Sequence, residues 1–366
     1  MRWNAVQILT NAAASASALV IPLLAKELGA NNMEIGIIGG FYGLALFVSS
    51  YIFGVIADMY SRRAILRIGL GLSSVFFFFQ VFAGSPLSLT ALRAAAGFCG
   101  GIFPSALIAH VYEMKKPLGK FLSYGSLGWA LGSAIVGPIA MYMSGGVVNA
   151  TYTYHLIFTT SSVFFAISFA ISLSSPKIET PHMKVKFFSL APFKKNWYIY
   201  LSMLIRHTGA QCVWVIFPLY LASLGADLMW IGLIYALNCA LQFIIMRYLH
   251  RFDEMQLIRA GTLFSALTFL LYSFATTYYH ILPMQIFIAA SWSCLYVGSM
   301  SYLLRRNEEK ATCVGILSSI ISLSSIIGPL LGGVVSYYFG FVATMYFASG
   351  MSLASFLIFD LRPKKG

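Results

Sequence analysis

The sequence predicts an all-α membrane protein of twelve transmembrane helices in two pseudo-symmetric six-helix bundles. Three observations carry that expectation. The 366 residues are 59% hydrophobic and only 10% charged, with a mean hydropathy of +0.80, whereas soluble domains carry about 25% charged residues. The apolar residues fall into runs of about 20 or more, each able to cross ~30 Å of hydrocarbon at ~1.5 Å per residue. A sequence pattern in the first run also returns just after the midpoint of the chain.

The twelve runs are 5–28, 35–57, 64–83, 87–112, 118–143, 152–174, 197–222, 229–249, 257–276, 281–304, 312–338 and 341–360. The joins between them are too short to hold a catalytic domain, so an enzyme is not expected. Charge is distributed by side. Arg62, Arg63 and Arg67 follow the second span, Lys115, Lys116 and Lys120 the fourth, and Lys177, Lys184, Lys186, Lys194 and Lys195 the sixth. Arg247, Arg251 and Arg259 join spans 8 and 9, and Arg305, Arg306 and Lys310 join spans 10 and 11. The opposite joins hold Lys26, Glu27, Glu34 and Asp227 and little else. The positive-inside rule then places both termini in the cytoplasm of a multi-pass protein of the cell membrane. The net charge of +13 is thereby a topology signal set against the lipid bilayer, and no nucleic-acid partner is expected. The five cysteines have neither metal spacing nor a disulfide framework. No metal site and no cofactor are expected, and the chain is expected to be a monomer.

The repeat is visible residue by residue. Ile21-Pro22-Leu23-Leu24-Ala25-Lys26-Glu27-Leu28-Gly29-Ala30 matches Phe217-Pro218-Leu219-Tyr220-Leu221-Ala222-Ser223-Leu224-Gly225-Ala226, and Ile35-Gly36 answers Ile231-Gly232. Gly137-Pro138 in span 5 similarly matches Gly328-Pro329 in span 11. A repeat at half the chain length implies two parallel six-helix halves: 1–175, a cytoplasmic linker over 176–196, and 197–366. The repeat also argues against reading the Ala- and Ser-rich stretch 12–18 as a cleaved signal sequence.

Between spans 2 and 3 lies Gly54-Val-Ile-Ala-Asp58-Met-Tyr-Ser61-Arg62-Arg63. It resembles the signature loop of the major facilitator superfamily, Gly-x-x-x-Asp-x-x-Gly-Arg-Arg/Lys, with Ser61 in place of one glycine. The resemblance implies two parallel bundles rocking about a central solute site. It also implies that Gly54, Asp58, Arg62 and Arg63 form a cytoplasmic latch. Asp58 and the start of span 11 would meet there, where a carboxylate gains ~0.3–1 kcal/mol from a helix N-terminus. Otherwise Arg62 and Arg63 are topology anchors alone.

Candidate cavity residues lie on polar stripes within apolar helices. Span 7 carries Arg206, and His207, Gln211, Trp214 and Pro218 follow one helical face. Span 1 repeats the pattern with Asn4, Asn11, Ser15 and Pro22. Span 8 adds Tyr235, Asn238 and Gln242, and span 10 adds Gln285, Trp292 and Tyr296. In the family that the loop resembles, spans 1, 4, 7 and 10 line the cavity. Hydrogen bonding that holds the bundle together is the alternative for each residue. Arg93 in span 4 belongs to a second family-like pattern, Arg93-Ala-Ala-Ala-Gly97. An arginine at mid-membrane costs at least ~2.5–3.5 kcal/mol, so Arg93 either faces the cavity and pairs or snorkels from the outer end of its helix.

Span 5 holds Gly128, Gly132, Gly137 and Pro138 in a pattern that resembles the drug/proton antiporter branch. The fuller glycine version, Gly328-Pro329 with Gly332-Gly333, stands in span 11. Small residues every four also suffice for tight helix crossing and proline for bending. No acid occupies the middle of an apolar run, so a coupling proton would use Glu113, Asp58 or a histidine among His110, His155 and His207; Glu113 and His207 are the first candidates. No Walker pattern is present for ATP.

The resulting expectation is a secondary transporter working by alternating access on a small-molecule substrate, with a proton or another ion possible as coupling partner. Efflux of amphiphilic or drug-like compounds is the leading reading, resting on span 5 and on Trp129, Trp214, Trp292 and Tyr296. An organic-anion carrier, with Arg93 and Arg206 clamping a carboxylate or phosphate, is the alternative. A membrane sensor that transports nothing is the third.

Overall fold

Every long apolar run becomes a helix, and the computed structural model, which describes residues 2–30, 32–144, 150–174, 191–226 and 228–361, contains no strand among them. The helices are α1 (Arg2–Glu27), α2 (Asn32–Met59), α3 (Arg62–Phe79), α4 (Pro86–Ile102), α5 (Pro104–Glu113), α6 (Leu118–Ser144) and α7 (Ala150–Leu173), then α8 (Ala191–Lys195), α9 (Trp197–Ser223), α10 (Leu228–Met246), α11 (Glu254–Tyr272), α12 (Tyr278–Arg306) and α13 (Lys310–Asp360). Helices α6 and α9 have 27 residues each, about 40 Å of helix.

Two elements differ from the sequence reading. The fourth span is two helices, broken at Phe103, because Pro104 lacks an N–H and its ring excludes a regular preceding turn. The eleventh and twelfth spans run together as α13, interrupted at Gly340, whose φ of 83° and ψ of 178° end one membrane crossing and begin the next. Counted as two crossings, with α4 and α5 counted as one, α13 brings the total among the described residues to twelve. In the linker expected over 176–196, residues 176–190 lie outside the described residues, and 191–195 form the short helix α8.

The chain forms two compact units: Met1–Lys116, Tyr124–Ser189 and Glu309–Ser319 in one, Pro117–Ser123, Leu190–Glu308 and Ile320–Gly366 in the other. The repeat is reproduced inside each. Helix α1 ends at Gly29 and α9 at Gly225, both with φ of 86°. The Ala30 N–H donates to Ala25 O, and the Ala226 N–H to Leu221 O, each at 2.9 and 3.0 Å respectively. This is the six-to-one closure of a helix C-terminus, which needs a left-handed residue and so selects glycine. Matching repeat positions are also buried in the two cores. Ile21, Leu24 and Ala25 pack with Leu89, Ile157 and Phe158 in the first unit. Phe217, Tyr220 and Leu221 pack with Phe269, Tyr272, Ile281 and Met345 in the second.

Other helix starts follow local chemistry. Ser85 and Ser88 form a reciprocal capping box with Pro86 in the first turn of α4. Asp253 caps α11 by accepting from Met255 and Gln256 N–H.

Candidate functional site

The first unit contains a charged clamp at the start of α13. Asp58, near the C-terminus of α2, accepts from Ala311 N–H through Oδ1 at 3.1 Å and from Thr312 N–H through Oδ2 at 2.7 Å. Both are first-turn amides of α13, which have no partner within their own helix. The approach depends on glycine: a Cβ at Gly54 would lie 2.8 Å from Ala311 O and 2.9 Å from Gly315 Cα. Arg62 then joins two acids, with Nη2 2.6 Å from Asp58 and Nη1 2.5 Å from Glu113. Lys310 lies 3.8 Å from the same Glu113 carboxylate. Arg62 and Asp58 are fully buried, where breaking one partner of such a set is far more damaging than at a surface.

Arg63 is not brought to Asp58. Its guanidinium donates to Leu173 O, as does that of Arg67, which also reaches Ser172 O; both satisfy the open carbonyls at the end of α7. His110 of α5 packs edge-on against Trp3, with centroids 4.9 Å apart.

The span 1 stripe is engaged with α6. Ser15 is fully buried and bonds Trp129 O and Ser133 Oγ at 3.0 and 2.9 Å. The Asn11 carbonyl accepts from Trp129 Nε1 at 3.1 Å, and its amide donates to Gln7 O. These bonds join helices, and α6 approaches through Gly128 and Gly132, where a Cβ would meet Asn11 Cβ and Ala12 Cα at 2.8 Å each. The second unit repeats this crossing between α13 and α9: a Cβ at Gly328 would lie 2.8 Å from Thr208 O, and one at Gly332 2.6 Å from Cys212 Cα. The glycine pairs that correspond in packing are therefore 128/132 and 328/332, a register that the Gly-Pro match does not give. The side chains around Gly137 and Pro138, in the last turns of α6, lie outside those described. Pro329 sits between the two packing glycines of α13.

Arg93 is buried in the first unit. Its Nη1 donates to Ser17 Oγ at 3.0 Å and Gln80 Oε1 at 3.3 Å, and its guanidinium lies 3.9 Å from the centre of the Tyr42 ring. It pairs rather than snorkels, and its partners are neutral.

A cavity of about 200 Å³ opens within the second unit, lined by Arg206, His207, Trp214, Tyr235, Asn238, Gln242, Ile288 and Trp292. Helix α9 supplies the cation and two rings, α10 the amides and Tyr235, and α12 Trp292. His207, Trp292 and Tyr296 stack in sequence, with centroids 5.0 Å apart at each step. Trp214 faces Tyr235 at 5.8 Å. The amides form a chain: Gln242 donates to Asn238, Asn238 to Gln285 at 3.1 Å, and Gln285 to the Tyr272 hydroxyl at 2.9 Å. Gln211 instead bridges His207 Nε2 and Ser325 Oγ, both at 3.1 Å.

Arg206 is held by residues the sequence stripes did not single out. Its Nε donates to Ser265 Oγ at 2.6 Å and its Nη2 to Ser291 Oγ at 2.9 Å. Ser265 and Ser291 bond one another, and Ser291 donates to Gly261 O. Gly261 permits this crossing of α11 and α12, since its Cβ would fall 2.6 Å from Leu295 N. The signal in the sequence was the small pair Gly261 and Ser265, one turn apart. Among the described residues no three histidine, cysteine or acidic side chains are grouped to hold a metal.

Two repeated bundles of apolar helices, the second holding an aromatic, polar-tipped cavity, are the build of a membrane solute carrier. The sequence model of the Major Facilitator Superfamily matches residues 5–306 and 199–366, and the chain belongs to that family of multi-pass membrane transporters. It is similar to the quinolone resistance protein NorA of Staphylococcus aureus (strain COL), 22% identical over 93% of this chain and 90% of that protein. It is also similar to the multidrug resistance protein MdtG of Escherichia coli O9:H4 (strain HS), 25% identical over 94% of this chain and 89% of that one. Among solved structures, a bacterial homologue of the iron transporter ferroportin in an outward-facing state superposes with a TM-score of 0.79 at 15% identity, over 98% of both chains. That likeness is one of fold.

Proposed function

We propose that this transporter exports amphiphilic aromatic compounds across the cell membrane by alternating access, with residues 1–175 and 197–366 as its moving halves. The observation that carries the reading is the cavity in the second unit. It presents Trp214, Tyr235 and Trp292 to a solute, with an arginine and an amide chain to orient it. Apolar walls with a few placed polar groups are the usual form of a small-molecule site. Names given to two relatives, quinolone resistance and multidrug resistance, support the same class. The concentration of Arg62, Arg63, Arg67, Lys115 and Lys116 in the joins after the second and fourth crossings supports cytoplasmic termini.

The clamp fits a conformational role. Asp58 holds α13 by its first turn, and the first residues of that helix belong to one compact unit while the remainder belongs to the other. Release of those two amides frees the start of that helix. The chain works as a monomer in lipid, and we assign coupling to His207, which borders the cavity, ahead of the ion-paired Glu113. Everted membrane vesicles test the reading. Energised vesicles containing this protein should accumulate a flat aromatic dye above the level of vesicles without it, and equal levels for a broad dye panel would refute export.

A further inference from the structure

We infer that the cavity of the second unit is an organic-acid subsite, in which Arg206 receives the carboxylate of a flat aromatic solute. This deepens the export reading and rests on it. Arg206 is 2% exposed and lies nine residues into α9, roughly 14 Å along the helix and so deep in the bilayer. Its charge is met only by neutral groups. Ser265 and Ser291 take Nε and Nη2, and the Trp292 ring lies 5.7 Å from the guanidinium carbon. Among the described residues no carboxylate pairs with it, and no acid lines the cavity. Nη1 makes no hydrogen bond to any described residue, while the two serines fix the plane of the fork.

A second unmet donor stands beside it. His207 lines the same cavity and is 7% exposed. Its Nε2 receives the amide of Gln211, a pairing that assigns the ring proton to Nδ1, which is buried and has no partner among the described residues. Tautomers follow from such networks. A buried cation with one open edge, walled by the rings of Trp214, Tyr235 and Trp292, is complementary to a planar carboxylate with an aromatic body. Guanidinium binds such a group through paired, charge-assisted bonds. The volume, about 200 Å³, lies below the ~300 Å³ at which drug-sized pockets begin. It therefore fits the acid head and its adjoining ring system. A cationic solute would meet Arg206 with like charge in a medium that screens poorly.

The test uses the full chain in lipid nanodiscs and three probes of one shape: naphthalene carboxylate, its carboxamide and its aminomethyl analogue. Quenching of tryptophan fluorescence gives each affinity. The carboxylate should bind at least tenfold more tightly than the amide, and the aminomethyl compound should bind least. Arg206→Gln should abolish the preference for the acid, and Arg206→Lys should reduce it, since ammonium keeps the charge without the fork. Equal or tighter binding of the amide by the wild type overturns the inference, even if Arg206→Gln does not fold. Retention of the acid preference in a folded Arg206→Gln protein overturns it as well. Counterflow of the neutral amide in wild-type proteoliposomes, without any acid preference in binding, would refute the acid subsite alone and leave export of aromatic compounds standing.

Discussion

The Oδ2 of Asp58 accepts the backbone N–H of Thr312 at 2.7 Å, so the end of the second helix caps the start of the thirteenth. Its other oxygen takes Ala311 N–H and the Arg62 guanidinium. Hydrogen bonds to a charged acceptor contribute about 1.5–3 kcal/mol each, and here the acceptor is buried. Asp58→Asn keeps the shape but puts an amide donor where two N–H groups need an acceptor. Transport should fall by roughly tenfold or more, the factor that ~1.4 kcal/mol represents. Expression and monodispersity should stay near wild type. Flux through reconstituted protein checks this, and an unchanged rate would remove the clamp from the mechanism.

The glycine crossing of α13 on α9 gives a paired stability test. Gly332→Ala places a Cβ 2.6 Å from Cys212 Cα, whereas a Cβ at Gly333 meets nothing within 4 Å. Overpacking of that kind costs about 1–3 kcal/mol, while alanine is the better helix former at an open position by ~1 kcal/mol. Gly332→Ala should lower the melting temperature and Gly333→Ala should hold or raise it. Thermal unfolding in detergent reads the difference, and equal effects would contradict the packing.

The stacked Trp292 should carry much of the solute affinity. It lies between His207 and Tyr296 and borders the cavity. Loss of an aromatic contact with its buried area weakens binding by about 1–3 kcal/mol. Trp292→Ala should therefore raise the Kd of an aromatic solute by about five- to 150-fold, measured by titration of the purified protein.

Coupling separates the two titratable candidates. Glu113 is bound by Arg62 and Lys310, so Glu113→Gln should slow exchange in both directions without removing the response to a pH gradient. His207 faces the cavity, and His207→Asn should abolish gradient-driven accumulation while leaving downhill flux. Proteoliposomes with and without an imposed gradient distinguish these outcomes. Gradient-driven uptake that survives in both variants would exclude both residues as proton carriers.

The repeat, the twelve crossings and the polar positions of α9 were legible because helix length, periodicity and glycine turns are local properties. The Gly29 and Gly225 turns show this most directly, since one local rule produces the same φ twice. Periodicity places His207, Gln211 and Trp214 on one stripe but does not say which neighbour that stripe meets. Gln211 consequently turns to Ser325 of α13 while His207 and Trp214 border the cavity. Asn11 and Ser15 had the same periodicity and were taken up by α6. The serines that hold Arg206 lie far away in sequence, on α11 and α12. The break at Phe103 had a local signal in Pro104, which the continuous apolar composition around it concealed.

The most direct measurement of the account is counterflow. Proteoliposomes loaded with an excess of unlabelled aromatic amphiphile and diluted into labelled compound should accumulate label transiently above equilibrium, because a carrier with one alternating site exchanges solute for solute. The overshoot should appear with wild type and largely vanish with Trp292→Ala. Label that only equilibrates across the whole panel of aromatic compounds, or an overshoot undiminished in Trp292→Ala, would contradict a carrier that binds its solute in this cavity.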